Sequence, residues 1–124
     1  TLATCGADKV VKVWDFVTGD QKKTISGFGK EVTSIQFVAL TENMVVGSGD
    51  KQVTTKTAAG GGGTNFGGST GYVYCVRASA DGDTVVAGGE DSVVRIWSKD
   101  GKTIINFDPP KPPEEKTADK QAAN

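Results

Sequence analysis

Residues 85–97 read VVAGGEDSVVRIW, and residues 3–15 read ATCGADKVVKVWD. Both run from a short apolar stretch through glycine and a turn aspartate into alternating β-branched residues, and both bring a tryptophan six positions after the aspartate. A third copy, VVGSGDKQVTTK at 45–56, keeps the turn and the alternation but has Lys56 where the other two have tryptophan. The turn aspartates Asp8, Asp50 and Asp91 recur at nearly equal intervals along the chain. A second marker, Gly19, Gly60 and Gly101, keeps the same interval. Two markers holding one period of about 40–45 residues define a repeat the size of a four-stranded antiparallel unit.

Alternation and punctuation place the strands. Leu2 to Cys5, Met44 to Gly47 and Thr84 to Ala87 read as second strands of a unit. After the turn aspartate, Val10 to Trp14, Gln52 to Lys56 and Ser92 to Trp97 read as third strands. Their β-branched side chains suit a pleated, half-buried surface. Turns at Thr18-Gly19, Gly60 to Gly63 and Asp100-Gly101 lead to outer strands near Thr24 to Ser26, Asn65 to Gly67 and Thr103 to Phe107. Inner strands follow at Val32 to Val38 and Tyr72 to Ala78. The expectation is eleven strands, with the first unit lacking its inner strand.

These residues resemble the WD-repeat family over positions 1 to about 108, most closely at Val11–Asp15 (VKVWD), Ala78–Gly82 (ASADG) and Val85–Trp97. The resemblance implies an all-β fold: part of a WD-repeat β-propeller, with about three four-stranded antiparallel blades. It also implies a non-catalytic scaffold that holds a protein partner. The stretches at 27–38, 69–82 and 104–110 are similar to bacterial propellers of planctomycete-type proteins linked to c-type cytochrome domains. That narrower likeness carries an alternative, an accessory module of a cell-envelope enzyme. It favours periplasm or envelope over cytoplasm as the location.

In the family a histidine, a Ser or Thr of the second strand, the turn aspartate and the tryptophan form a hydrogen-bonded structural tetrad. This chain has no histidine, and the positions four before each aspartate read Thr4, Val46 and Ala87. Only the first blade is therefore expected to keep a three-membered version, of Thr4, Asp8 and Trp14. Asp50, Asp91 and Trp97 are the remaining structural markers. The middle blade, with Lys56 and the run Gly60 to Gly63, is expected to be the softest, because glycine loses extra backbone freedom on folding.

Blades cannot bury their faces singly, and an open array exposes strand edges. The expected neighbours are further blades supplied by a longer chain, or other copies completing a ring. The stretch 109–124 holds all four prolines among charged residues, and it reads as a Pro-rich, flexible tail.

Composition narrows the chemistry. A formal net charge of −1 and a pI near 5.4 leave no basic stripe for phosphates, so nucleic acid is not an expected partner. No apolar run is long enough to span a membrane. Cys5 and Cys75, without histidine, build neither a familiar zinc site nor a Cys-His nucleophile, and they read as buried small hydrophobes. A disulfide between them requires adjacent strands. Glu90 and Asp91 are neighbours on a strand, so their side chains diverge, and the turn claims Asp91. The glycine-rich 60–68 does not open a helix and lacks phosphate-loop spacing. Catalytic residues, metal sites and cofactors are therefore expected to be absent.

What remains for function is the rim carrying the turn aspartates. By the family resemblance, contacts come from the start of the inner strand and the residue before the turn aspartate. Those positions are Lys30, Glu31, Thr70, Tyr72, Ala7, Gly49 and Glu90. Lys30, Tyr72 and Glu90 have side chains able to anchor a partner.

Overall fold

The structure, a computed structural model, describes residues 1–114. Its eleven strands are β1 (Leu2–Cys5), β2 (Val11–Trp14), β3 (Gln21–Ile25), β4 (Val32–Phe37), β5 (Asn43–Ser48), β6 (Val53–Thr57), β7 (Gly62–Asn65), β8 (Val73–Ala78), β9 (Thr84–Gly89), β10 (Val94–Ser98) and β11 (Thr103–Phe107). No helix forms among the described residues. They build a three-stranded sheet, β1-β2-β3, and two four-stranded sheets, β4-β5-β6-β7 and β8-β9-β10-β11, antiparallel throughout. This is the blade arrangement of a partial β-propeller, with the first blade short of its inner strand.

The turn aspartates repeat one local device. Lys9, Lys51 and Ser92, each directly after its aspartate, adopt φ of 64°, 74° and 60°. In the middle and last blades the aspartate accepts the N–H two positions on, from Gln52 at 3.3 Å and from Val93 at 3.1 Å. A short side chain bonding its own downstream backbone is what makes aspartate a turn residue.

The alternation of each strand then sorts side chains between two interblade cores. Val11, Val13 and Ile25 of the first blade meet Val32, Met44 and Val46 of the middle blade, with Phe28 and Ala58 at the margins. Val45, Val53 and Phe66 of the middle blade meet Val73, Val76, Val85, Ala87 and Trp97 of the last. Consecutive residues Met44, Val45 and Val46 are all fully buried, because the middle blade is covered on both faces.

Several sequence expectations change. The tight turn of the middle blade ends at Gly61, whose carbonyl accepts the Thr57 N–H at 3.0 Å, and Gly60 takes φ +92°. Gly62 and Gly63 therefore belong to the outer strand, which the sequence alone begins only near Asn65. Gly63 approaches Thr55 so closely that a Cβ would collide with its hydroxyl. The glycines that read as turn thus serve strand pairing instead. Cys75 is exposed and Cys5 only half-buried; both are free, on different sheets. Trp14 is only half-buried: among the described residues no sheet lies against its face of the first blade, which it shares with Leu2, Thr4 and Lys12. Of the expected tail, residues 109–114 are exposed and outside any strand, and 115–124 lie outside the described residues.

Candidate functional site

The turn aspartates and the loops entering β4 and β8 form one rim. Asp50 accepts the Gly29 N–H at 2.5 Å, and Asp91 accepts both the N–H of Thr70 at 3.0 Å and its hydroxyl at 3.2 Å. Gly29 and Thr70 hold the same repeat position in successive blades, so each blade ties its inner-strand loop to its own turn without a histidine. Ser48 and Gln52 add donors to Asp50. Arg95 adds an ion pair to Asp91 at 2.6 Å, with only 10% and 11% of the two side chains exposed. Burial alone would raise the Asp91 carboxyl. The N–H groups of Thr70 and Val93 and the Arg95 guanidinium outweigh it and hold the group down at about 2.

The first blade repeats the pair as Asp8–Lys12 at 2.8 Å, in a far more exposed setting. There Trp14 Nε1 donates to Thr4 Oγ1 at 2.9 Å, while Asp8 turns to Lys12 and does not complete the triad expected of it. In the last blade, where Ala87 offers no hydroxyl, Trp97 Nε1 donates to the Gly67 carbonyl at 3.0 Å.

Of the rim residues singled out from the sequence, Lys30, Glu31, Tyr72 and Glu90 come together, and Thr70 is committed to Asp91. Tyr72 is the centre. Its hydroxyl donates to Glu31 Oε2 at 2.9 Å and its N–H to Glu90 Oε2 at 3.2 Å. The Lys30 ammonium lies 6.0 Å from its ring centroid. Glu31 and Tyr72 occupy the same repeat position in successive blades, so their bond ties the two blades together across the rim. The Glu31 carboxyl sits below its ordinary value, through its own backbone N–H first and then the Tyr72 hydroxyl. The same bond pushes the Tyr72 phenol up.

Gly49, one of the rim positions implied by the resemblance, and Tyr74, which opens the inner strand beside Tyr72, complete the cluster. Gly49 receives the edge of the Tyr72 ring, and any Cβ there would run into it. Tyr74 stacks beside Tyr72, with centroids 5.5 Å apart at 41°, and is 59% exposed. Gly49→Ala is expected to dislodge the Tyr72 ring, at a cost of about 1 kcal/mol. With the Glu31 bond broken, the Tyr72 phenol falls back toward its ordinary value. A UV-monitored tyrosine titration of the variant checks this, and an unchanged titration curve counts against the seat.

The cluster is a surface and not a pocket: polar anchors at fixed spacing, with an aromatic pair between them. Such a surface can hold a partner by tyrosine contact area and carboxylate or ammonium hydrogen bonds.

Comparison with known proteins agrees with the repeat reading. The chain matches the family described as WD domain, G-beta repeat, over residues 1–15 and 63–98. The unmatched stretch contains Lys56 and most of the glycine run. Protein tipD of Dictyostelium discoideum is 33% identical over 97 residues, which is 77% of this chain and 16% of that protein. The chain thus spans about a sixth of the length of the curated relative it matches.

Proposed function

This chain belongs to the WD-repeat family, and on that premise we propose that it is a rigid, non-catalytic platform whose rim holds a protein partner at Lys30, Glu31, Tyr72 and Glu90. WD repeats generally mediate protein–protein interaction. The observation that carries the reading is the fixation of Tyr72 at its hydroxyl, its N–H and its ring edge, by groups from two blades. A tyrosine fixed before the partner arrives has little rotamer freedom left to lose, so more of its contact energy appears as affinity. Tyrosine also combines a large apolar face with a polar tip, which suits a surface that is half wet.

The mechanism needs no bond to be made or broken. Blade packing sets the spacing of the rim loops, and the loops set the spacing of the anchors.

The test compares partner capture by the intact chain with that by the combined Lys30→Ala, Tyr72→Ala and Glu90→Ala variant. A control variant removes the exposed Asp83–Lys99 pair, on the turns at the other end of the last blade. Recovery is expected to fall about tenfold or more in the rim variant, because central aromatic and charged anchors carry most of an interface's energy. Equal recovery from the rim variant and the intact chain refutes this face.

A further inference from the structure

The middle blade departs from its neighbours on the face it turns to the last blade. Five positions after the turn aspartate the first and last blades have Val13 and Ile96, and the middle blade has Thr55. Three positions after the second glycine marker they have Lys22 and Ile104, and the middle blade has Gly63. The two changes belong together, since a Cβ at Gly63 would run into the Thr55 hydroxyl. Between this face and the last blade lies a cleft of about 310 Å³, at the lower end of the range for small-molecule sites. Gly82 and Lys99 border it, on the turns at the end opposite the rim.

The floor of the cleft is apolar and its wall is not. Phe66 and Val85, each 2% exposed, make the floor together with Val38. Thr55 and Thr57 line it from β6. Each of these hydroxyls already accepts a backbone N–H, from Thr64 and from Gly61, both at 2.8 Å. A hydroxyl also has one hydrogen to donate. Thr54, on the opposite face of the strand, donates its own to the Thr64 carbonyl at 3.0 Å. Among the described residues nothing accepts from Thr55 or Thr57.

Lys99 adds a cation at the border. Asp83 accepts one hydrogen bond from it, at 2.8 Å, and an ammonium has three hydrogens. No aspartate or glutamate among the described residues lines the cleft. Unmatched donors and a cation beside an apolar floor call for an anion with an apolar body, because a hydrogen bond to a carboxylate is about twice as strong as one between neutral groups.

We propose that this cleft binds a small organic carboxylate, its ring or branched chain on Phe66 and Val85 and its carboxylate on the Thr55 and Thr57 hydroxyls and the Lys99 ammonium. The site is separate from the rim around Tyr72 and does not depend on a partner being held there.

The test titrates the full, isotope-labelled chain with hydrocinnamate and with its uncharged amide, followed by NMR. The expected result is saturable amide shifts at Thr55, Thr57, Gly63 and Val85 with the acid, and binding about tenfold or more weaker with the amide. Thr55→Val combined with Lys99→Gln is expected to bring the acid down to the affinity of the amide. Valine already stands at this position in the first blade, and the Lys99 side chain is 71% exposed, so both changes suit the fold. Unchanged resonances at Val73 and Val76 verify the junction between the blades. The proposal is overturned by equal binding of acid and amide, by shifts at Glu31 and Tyr72 in place of the cleft, by undiminished binding to the double variant, or by no saturable binding. A peptide ending in phenylalanine, which carries the same ring and carboxylate, overturns the small-molecule assignment if it binds more tightly than hydrocinnamate.

Discussion

Trp97→Ala is expected to destabilise the chain by about 3–5 kcal/mol, the range for truncating a fully buried aromatic. Three contributions act together. The indole is completely buried at the junction of the middle and last blades. It packs against Phe66 at 5.6 Å with the rings tilted by 52°, a favourable aromatic geometry. Its N–H is satisfied by the Gly67 carbonyl, which the truncation leaves without its donor. Trp14→Ala, at the same repeat position, is expected to cost clearly less. Trp14 is half-buried, and its bond to Thr4 lies in reach of water. Urea unfolding of the two variants side by side measures the difference as a shift in midpoint with unchanged slope. Equal losses would mean that burial between blades is not what sets the cost of losing the tryptophan.

That contrast shows what the sequence can and cannot disclose. The turn aspartates, the alternation after them and the tryptophans are local signals, and they give the number and order of the strands and the short first blade, while the outer strand of the middle blade is read a few residues too late. Glycine misleads, because Gly62 and Gly63 look like turn residues and act as strand residues, Gly63 at a point where Thr55 comes too close for a side chain. The partial burial of Trp14 escapes the sequence for a different reason: the pattern tells which face a residue is on, and not whether another sheet covers that face. The rim is half legible. The family resemblance singles out Glu31 and Tyr72, and their equal position in successive repeats gives the means to pair them. Gly49 as the seat for Tyr72 of the following blade follows only from how the blades are stacked, and no motif encodes it.

Asp91 should make the largest single contribution to the acid limb of the stability curve. Its folded carboxyl is held at about 2, below the ordinary 3.8, so the folded state binds a proton less readily than the unfolded chain. The sign follows by linkage: the stabilisation is fully present above about pH 4 and is lost as pH falls toward 2. Asp91→Asn removes the charge and keeps one acceptor oxygen, enough for Val93 or for Thr70 but not for both, since they donate to different oxygens of the carboxylate. The Arg95 guanidinium then stays buried without a counter-ion, and the expected cost at neutral pH is about 3 kcal/mol, the lower end for breaking a buried pair. Two further results tie the loss to the pair. The variant's stability should be flatter between pH 4 and pH 2 than that of the intact chain. Adding Arg95→Leu to Asp91→Asn should recover much of the loss, since a buried charge without a partner costs more than a buried leucine. Asp8→Asn, which breaks the exposed pair with Lys12, is expected to change stability little by comparison, because water and salt already screen that contact. Chemical denaturation at stepped pH separates these outcomes. If Asp91→Asn leaves the acid limb as steep as before, the fixed turn charge is not what links the inner-strand loop to the last blade.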